Sequence, residues 1–96
     1  MTLVSLLKRK DIKFSVGVYP WPDQLVSDSV NSLQIRLWKD WCIENGCYGF
    51  INHFPDFFER TSAGSWPTEL FLDEGVHFNA DGNRLMASKL IDAFAN

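Results

Sequence analysis

The sequence predicts an α/β fold, from two short apolar strands, the helical stretch between them and an amphipathic closing helix. Residues 12–19 are rich in β-branched and aromatic side chains and end abruptly at a Pro-Trp-Pro turn. Residues 27–45 then follow a helical period, and residues 47–52 form a second short apolar run. A strand, a helix and a strand in this order predict a βαβ unit with parallel strands.

The first strand is preceded by a short helix over residues 3–10, whose last turn is cationic. Residues 16–19 have no polar alternate, which is typical of a strand covered on both faces. Tyr19 and Trp21 follow the carboxyl end of this strand, where α/β proteins place ligand contacts. They are therefore candidate substrate-binding residues, and rigid packing at the strand end is the alternative.

The long helical stretch carries one apolar face. We expect Ser27 or Asp28 to cap its start and Asn45-Gly46 to end it. Cys42 and Cys47 are expected to be buried thiols and not a disulfide, because a lone C-x4-C pair is neither a disulfide framework nor a zinc motif. The apolar face comprises Val26, Val30, Leu33, Leu37 and Trp41.

The second strand leads into two further candidate features. His53 lies at its carboxyl end, where a histidine more often packs than catalyses, and Pro55 suits the first turn of a short helix. Residues 60–68 form a polar loop of small residues that carries Trp66. We expect this loop to be a mobile rim over a site, with Trp66 as a third substrate-binding candidate.

The segment from residue 73 to residue 85 holds the strongest candidate for catalysis. His77 follows two carboxylates, Asp73 and Glu74, and precedes a helix that Asn79 is suited to cap. A carboxylate beside an imidazole is the orienting half of a nucleophilic triad, in which the imidazole takes a proton from the nucleophile. A surface acidic turn with an incidental histidine is the alternative.

Residues 74–87, Glu-Gly-Val-His-Phe-Asn-Ala-Asp-Gly-Asn-Arg-Leu-Met-Ala, resemble the last conserved block of the SGNH/GDSL hydrolases. The histidine, the asparagine, the glycine and the helix start all fall at the family's offsets. The resemblance covers essentially the whole chain but only the C-terminal half of the family's domain. It implies a flavodoxin-like three-layer α/β/α fold, a Ser-His-acid mechanism, and ester substrates that are often acetylated carbohydrates. His77 would be the base, oriented by Glu74 on register or by Asp73 one residue earlier.

The family's Gly-Asp-Ser turn and its oxyanion-hole residues do not occur in these 96 residues. The chain is therefore expected to be a single domain over residues 1–96 that corresponds to the C-terminal part of an esterase and is inactive alone. A two-stranded sheet rarely suffices by itself, so we expect self-association or completion by an N-terminal half. The alternative is a non-catalytic binding or assembly module that uses its aromatic side chains as a contact surface.

Composition restricts the classes of partner that the chain is expected to bind. The net charge of −3, from 12 acidic and 9 basic residues, argues against nucleic acid. No apolar run approaches the length of a membrane span, and the N-terminal charges follow the apolar residues, the reverse of a signal peptide, which favours a cytoplasmic location. We expect no cofactor. A metal site built from His77 with Asp73, Glu74 or His53 would match no standard spacing.

Overall fold

The computed structural model describes residues 2–62, 67–72 and 77–94, and within them the chain is a mixed α/β structure. The elements occur in the order α1, β1, α2, α3, β2, α4, a 3-10 helix and α5. Their bounds are Leu3–Arg9 for α1, Ser15–Val18 for β1, Pro22–Ser27 for α2, Leu33–Asn45 for α3, Gly49–Asn52 for β2, Phe54–Ser62 for α4, Pro67–Leu70 for the 3-10 helix and Ala80–Phe94 for α5.

The two strands pair in parallel, as the βαβ pattern predicts. Ser15 lies opposite Gly49, and the register continues to Val18 opposite Asn52. The backbone N–H of His53 donates to the carbonyl of Val18 at 2.9 Å, which closes the pairing at the carboxyl end. In the described ranges the sheet contains these two strands, so the outer edge of each remains unpaired there.

Helices α3 and α5 approach the sheet from opposite faces. The ring of Phe14 packs edge-on against Trp41 of α3, with 6.3 Å between centroids. The next residue, Ser15, shares its face with Gly49, where the ring of Phe94 from α5 lies within 3.9 Å of a Cβ built on that glycine. Successive side chains of a strand point to opposite faces, so the sheet lies between the two helices.

The prediction that the first strand is buried on both faces is wrong for β1. Ser15 and Gly17 are exposed, whereas Val18 is 3% exposed. Helix α5 packs mainly against β2 and leaves Ser15 and Gly17 of β1 accessible, although the side chain of His53 approaches Gly17 on that face. An apolar strand sequence indicates a capacity for burial, and the neighbouring elements decide whether it is realised.

The predicted start of the long helix, with Ser27 or Asp28 as its cap, is also wrong, because Asp28 ends the short helix α2 and, after a break, Ser32 caps α3. The Asp28 carboxylate accepts the backbone N–H of Ser29 at 2.8 Å and the hydroxyl of Ser32 at 2.6 Å. The Ser32 hydroxyl in turn accepts the N–H of Gln34 at 3.2 Å and caps α3. These local bonds offer the backbone an alternative to helical pairing. They also hold the pKa of Asp28 below its ordinary value, the Ser32 hydroxyl contributing most.

The break leaves most of the predicted apolar face in solvent. The side chains of Val26, Val30, Leu33 and Leu37 are between 46% and 78% exposed. Helix α3 instead turns Cys42 and Trp41 toward the sheet. The predicted end of the helix is confirmed, since Gly46 has φ +71° and its N–H donates to the carbonyl of Cys42.

A disulfide joins Cys42 to Cys47, so the expectation of two free thiols is wrong. Gly46 turns the chain back on itself, and the N–H of Cys47 donates to the carbonyl of Cys42 at 3.1 Å. The two Cα atoms then lie 4.9 Å apart, within the range that a disulfide spans. The left-handed turn between the cysteines creates this geometry, which their spacing alone did not indicate.

The hydrophobic core lies beyond the carboxyl ends of the strands and not between the sheet and α3. Helix α2 follows β1 and helix α4 follows β2, so both contribute to it. Their side chains pack against the 3-10 helix and the first turns of α5. The core residues are Leu25, Phe57, Leu70 and Phe71, with Phe58, Phe78, Leu85 and Met86 packed around them. The later members of the predicted stripe on α5, Leu90, Ile91 and Phe94, are 39% to 65% exposed.

Candidate functional site

His77 occupies the return arm of a short antiparallel pairing at the core's surface. Phe71 and Phe78 form an antiparallel bridge, and the N–H of Leu72 donates to the carbonyl of His77 at 2.8 Å. The backbone of His77 is thereby fixed, while its side chain is exposed. Exposure of the imidazole is what a base that must meet a substrate requires.

The structure does not test the two carboxylates proposed to orient His77. Asp73 and Glu74 lie outside the described residues, between Leu72 and His77 in the chain. Trp66, the third substrate-binding candidate, also lies outside the described residues. The choice between Glu74 and Asp73 as orienting acid therefore stays a prediction.

Phe78, the residue that follows His77, packs its side chain into the core. Its ring lies 5.1 Å from that of Phe71 and 5.6 Å from that of Phe57, measured between centroids. The ring of Tyr19 meets it edge-on at 4.8 Å. Tyr19 thus contacts the histidine segment from the carboxyl end of β1, and its role in substrate binding stays a prediction. Aromatic contacts of this kind rigidify the backbone on which His77 depends.

Asn79 ties the histidine segment to the start of α5. Its side-chain oxygen accepts the N–H of Gly82 at 2.9 Å, which confirms it as the N-cap. Its amide nitrogen donates to the carbonyls of Glu69 and Phe71, and its backbone N–H donates to the carbonyl of Leu70 at 3.1 Å. One side chain therefore caps the helix and holds it against the 3-10 helix, two residues after His77.

Gly82 is the point of closest approach between α5 and the 3-10 helix. A Cβ built on this buried residue would overlap the carbonyl oxygen of Leu70 and lie 3.0 Å from the Cβ of Phe78. Only glycine lets the two backbones meet at this distance. Sequence reasoning recognised Gly82 as part of a motif but missed this reason. A glycine in the first turn of an otherwise good helix was the signal.

Trp21 faces a different surface. It is 50% exposed and, with Trp38 at 44%, borders a groove of about 450 Å³ along the outer edge of β1. The groove thus begins near Tyr19 and runs away from the histidine segment. Its lining consists of Ser15, Val16, Gly17, Val18, Tyr19, Trp21, Gln34 and Trp38.

His53 is placed for packing and not for catalysis. The residue is 1% exposed, and a Cβ built on Gly17 would lie 3.6 Å from its Nε2. Its Nδ1 has no hydrogen-bond partner among the described residues. Burial lowers the pKa of His53 below its ordinary value, the charge of Lys89 lowers it further, and the charge of Asp56 acts in the opposite direction. A neutral buried imidazole is the result.

The remaining possibilities find no support in the described geometry. Within residues 2–62, 67–72 and 77–94, no three acidic, histidine or cysteine side chains are grouped as a metal site requires. None of the helices in those ranges combines the length and hydropathy needed to cross a bilayer. No family model, curated protein or solved structure matches the chain. The histidine segment is therefore the basis for the function proposed below.

Proposed function

We propose that this chain supplies the His–acid side of an SGNH-type ester hydrolase, an esterase or O-acetyl-carbohydrate deacylase, whose serine comes from polypeptide outside these 96 residues. The observation that carries the proposal is the exposed side chain of His77 on a backbone fixed from both sides. Leu72 binds the carbonyl of His77, and Phe78 and Asn79 anchor the residues that follow it. Catalytic groups need such pre-organisation more than they need burial.

The proposed fold is the flavodoxin-like three-layer sandwich. Two parallel strands between α3 and α5 are compatible with it, and so is the location of His77 after the last strand. The sandwich needs further parallel strands, which the polypeptide that carries the serine would provide. The resemblance of residues 74–87 to the family's last block supports this assignment, together with the structural roles of Asn79 and Gly82.

In the proposed reaction His77 acts first as base and then as acid. The imidazole removes the proton of the serine hydroxyl as the serine oxygen bonds to the ester carbonyl carbon. Collapse of the tetrahedral intermediate breaks the bond to the alcohol oxygen, which takes the proton from His77. Water then hydrolyses the acyl-serine by the same two proton transfers. Glu74 or Asp73 would accept the Nδ1–H of His77 and hold the imidazole in the productive tautomer.

Activity of the completed enzyme tests the proposal. DNA on the 5′ side of the Met1 codon should encode a Gly-Asp-Ser turn, and the polypeptide it encodes, expressed together with this chain, should hydrolyse p-nitrophenyl acetate. The substitution His77→Ala should then lower kcat by about 10³-fold or more, since the residual rate comes from the oxyanion hole and binding alone. His53→Phe is the matched control and should leave kcat within about twofold if the protein folds.

Two results would contradict the proposal. Hydrolysis by the 96-residue chain alone that His77→Ala abolishes would mean that the chain holds its own nucleophile. Hydrolysis by the completed enzyme that survives His77→Ala would remove His77 from the mechanism. The orienting acid can be identified in the same system, because Glu74→Gln or Asp73→Asn should disturb the ¹⁵N signature of the Nδ1–H tautomer of His77.

A non-catalytic binding module is the second candidate, and one observation favours it. The half-exposed indoles of Trp21 and Trp38 border the uncharged groove beside β1, and Gln34 lies in its lining. Aromatic faces with a nearby amide suit sugar rings as well as peptides. Tryptophan fluorescence that responds to sugars, without turnover of any ester by the completed protein, would favour this candidate.

A further inference from the structure

The outer edge of β1 is an unprotected template for strand pairing. The carbonyl of Val18 points toward β2, because it accepts the N–H of His53. Backbone groups alternate along a strand, so the N–H and carbonyl groups of Ser15 and Gly17 point to the open side. In the described residues no third strand takes these groups.

Natural edge strands usually carry devices that prevent such pairing. These include an inward-pointing lysine, a proline, a bulge or a covering helix. Residues 14–19 contain no charge and no proline, and β1 runs without a bulge against β2. Ser15 and Gly17, the two residues of β1 whose backbone groups point outward, have small side chains or none. A second chain can therefore approach the backbone of β1 closely.

The surroundings of the edge restrict what can occupy it. All eight residues that line the groove beside β1 are uncharged. A charged segment would lose its hydration there without a partner, which is costly. The occupant must consequently be extended, uncharged and able to form a strand. Residues 14–19 of a second copy, Phe-Ser-Val-Gly-Val-Tyr, meet each of these requirements.

We propose that the chain by itself forms a two-fold symmetric dimer through β1, whose two copies pair antiparallel into a four-stranded sheet. A two-fold axis brings the same edge of both copies together, and identical edges can exchange hydrogen bonds reciprocally only in the antiparallel arrangement. Ser15 and Gly17 of one copy pair with their counterparts in the other. The half-exposed Trp21 and Trp38 border the same groove and lose exposure as it fills.

This pairing concerns the chain by itself and involves neither His77 nor its acid, so its test can fail without affecting the test of ester hydrolysis. It is expected to be of modest affinity, since a four-residue strand and one groove make an interface at the small end of the observed range. The other apolar surface, formed by Leu33 and Leu37 on α3, offers no backbone groups and hence no register to a partner.

Sedimentation velocity over about 1 to 500 μM tests the proposal, a range that brackets micromolar dissociation constants. The wild-type chain should shift from monomer to dimer. Gly17→Lys should remain monomeric throughout, because it places a charge on the edge. Gly17→Ala is the matched control. It adds the same Cβ, which meets only ordinary contacts at 3.6 to 3.9 Å, and it should dimerise as the wild type does.

A second variant guards against misfolding of Gly17→Lys. Ser15→Pro removes an outward N–H without removing a bond to β2, and it should also be monomeric. Amide exchange should slow at Ser15 and Gly17 as the concentration rises, while exchange at Asn52, on the opposite edge of the sheet, should not change. A folded wild-type monomer at every concentration would overturn the proposal. A dimer that persists in both Gly17→Lys and Ser15→Pro would overturn it equally, by placing the interface elsewhere.

Discussion

Two regions of the molecule differ in how completely the chain buries its apolar side chains and pairs its backbone groups. At the carboxyl ends of the strands, Phe54, Phe57 and Leu70 are completely buried, and the Asn79 side chain binds backbone groups of Glu69, Phe71 and Gly82. On the opposite side, Leu33 and Leu37 of α3 are more than half exposed, and the outer edge of β1 is unpaired in the described residues. The first region is a fully buried core, and the second exposes apolar side chains and unpaired backbone groups of the described residues.

The comparison explains where a catalytic histidine could lie. His77 borders this buried core, and the hydrogen bond from Leu72 and the packing of Phe78 hold its backbone in place. The groove and the unpaired edge of β1 belong to the second, more exposed region, where Trp21 and Trp38 remain half exposed. The two proposals therefore concern separate parts of the chain, catalysis at the histidine segment and assembly at the edge of β1.

Truncation of one large side chain in each region should give the largest contrast. Phe57→Ala removes a fully buried ring and should lower the free energy of unfolding by about 3 to 5 kcal/mol. Leu37→Ala, at a position 59% exposed, should change it by no more than about 0.5 kcal/mol. Urea unfolding measures both. Equal losses would mean that α3 is buried in solution, and the comparison would fail.

A glycine pair sharpens the same contrast at the backbone. Gly82→Ala should destabilise the protein by about 2 to 3 kcal/mol, because the new Cβ would overlap the carbonyl of Leu70 in the buried core. Gly17→Ala, on the open edge, should stay within about 0.5 kcal/mol of wild type. Thermal unfolding of the two variants provides the measurement. A tolerant Gly82 would show that α5 does not pack closely against the 3-10 helix.

The disulfide between Cys42 and Cys47 is a covalent cross-link in the more exposed region, at the end of α3. Cys42 and Cys47 enclose a short loop, with a sequence separation of 5, so its reduction should cost about 2 kcal/mol on the chain-entropy estimate. Urea unfolding with and without reductant measures the difference. A Cys42→Ala, Cys47→Ala double variant should show no response to reductant. A wild-type midpoint that reductant leaves unchanged would contradict a structural role for the bridge.

His53 lies where the two regions meet and should make stability depend on pH. Because its pKa is lowered below 6.5 in the folded state, the unfolded chain binds more protons as the pH falls. Stability should therefore be full above pH 6.5 and decline as the pH drops through that value toward the folded pKa. His53→Phe should flatten the profile between pH 5 and 7, by about the amount that this one group contributes. A decline of equal size in the variant would assign it to other groups.

Parts of the fold were readable from the sequence for local reasons. The short first helix, the αL residue at Gly46 and the cap at Asn79 depend on residues close together in the chain, and the parallel strand pair follows from the order strand, helix, strand. Within the candidate site, Tyr19 lies at the carboxyl end of β1 and contacts Phe78, and its predicted role in substrate binding stays a prediction. The roles of His77, Glu74 and Asp73 remain a proposal.

The errors have a common origin in competition between local and tertiary forces. A helical period continued through residues 28–32, yet the Asp28 carboxylate captured Ser29 and Ser32 and ended the helix. The helical period places Leu33 and Leu37 on one apolar face of α3, yet both are more than half exposed in the part of the chain that the structure describes. Periodicity reports which side could be buried, and only the arrangement of other elements decides which side is.

The sequence by itself determined a parallel βαβ unit followed by a histidine at a helix start, because strand composition, turn residues and capping act within a few residues. Tertiary structure alone decided that Gly82 must be a glycine, that Cys42 meets Cys47, and that β1 keeps an open edge. Each of these depends on the distance between segments that approach one another only when folded. That distance is set by packing, to which no single stretch of sequence corresponds.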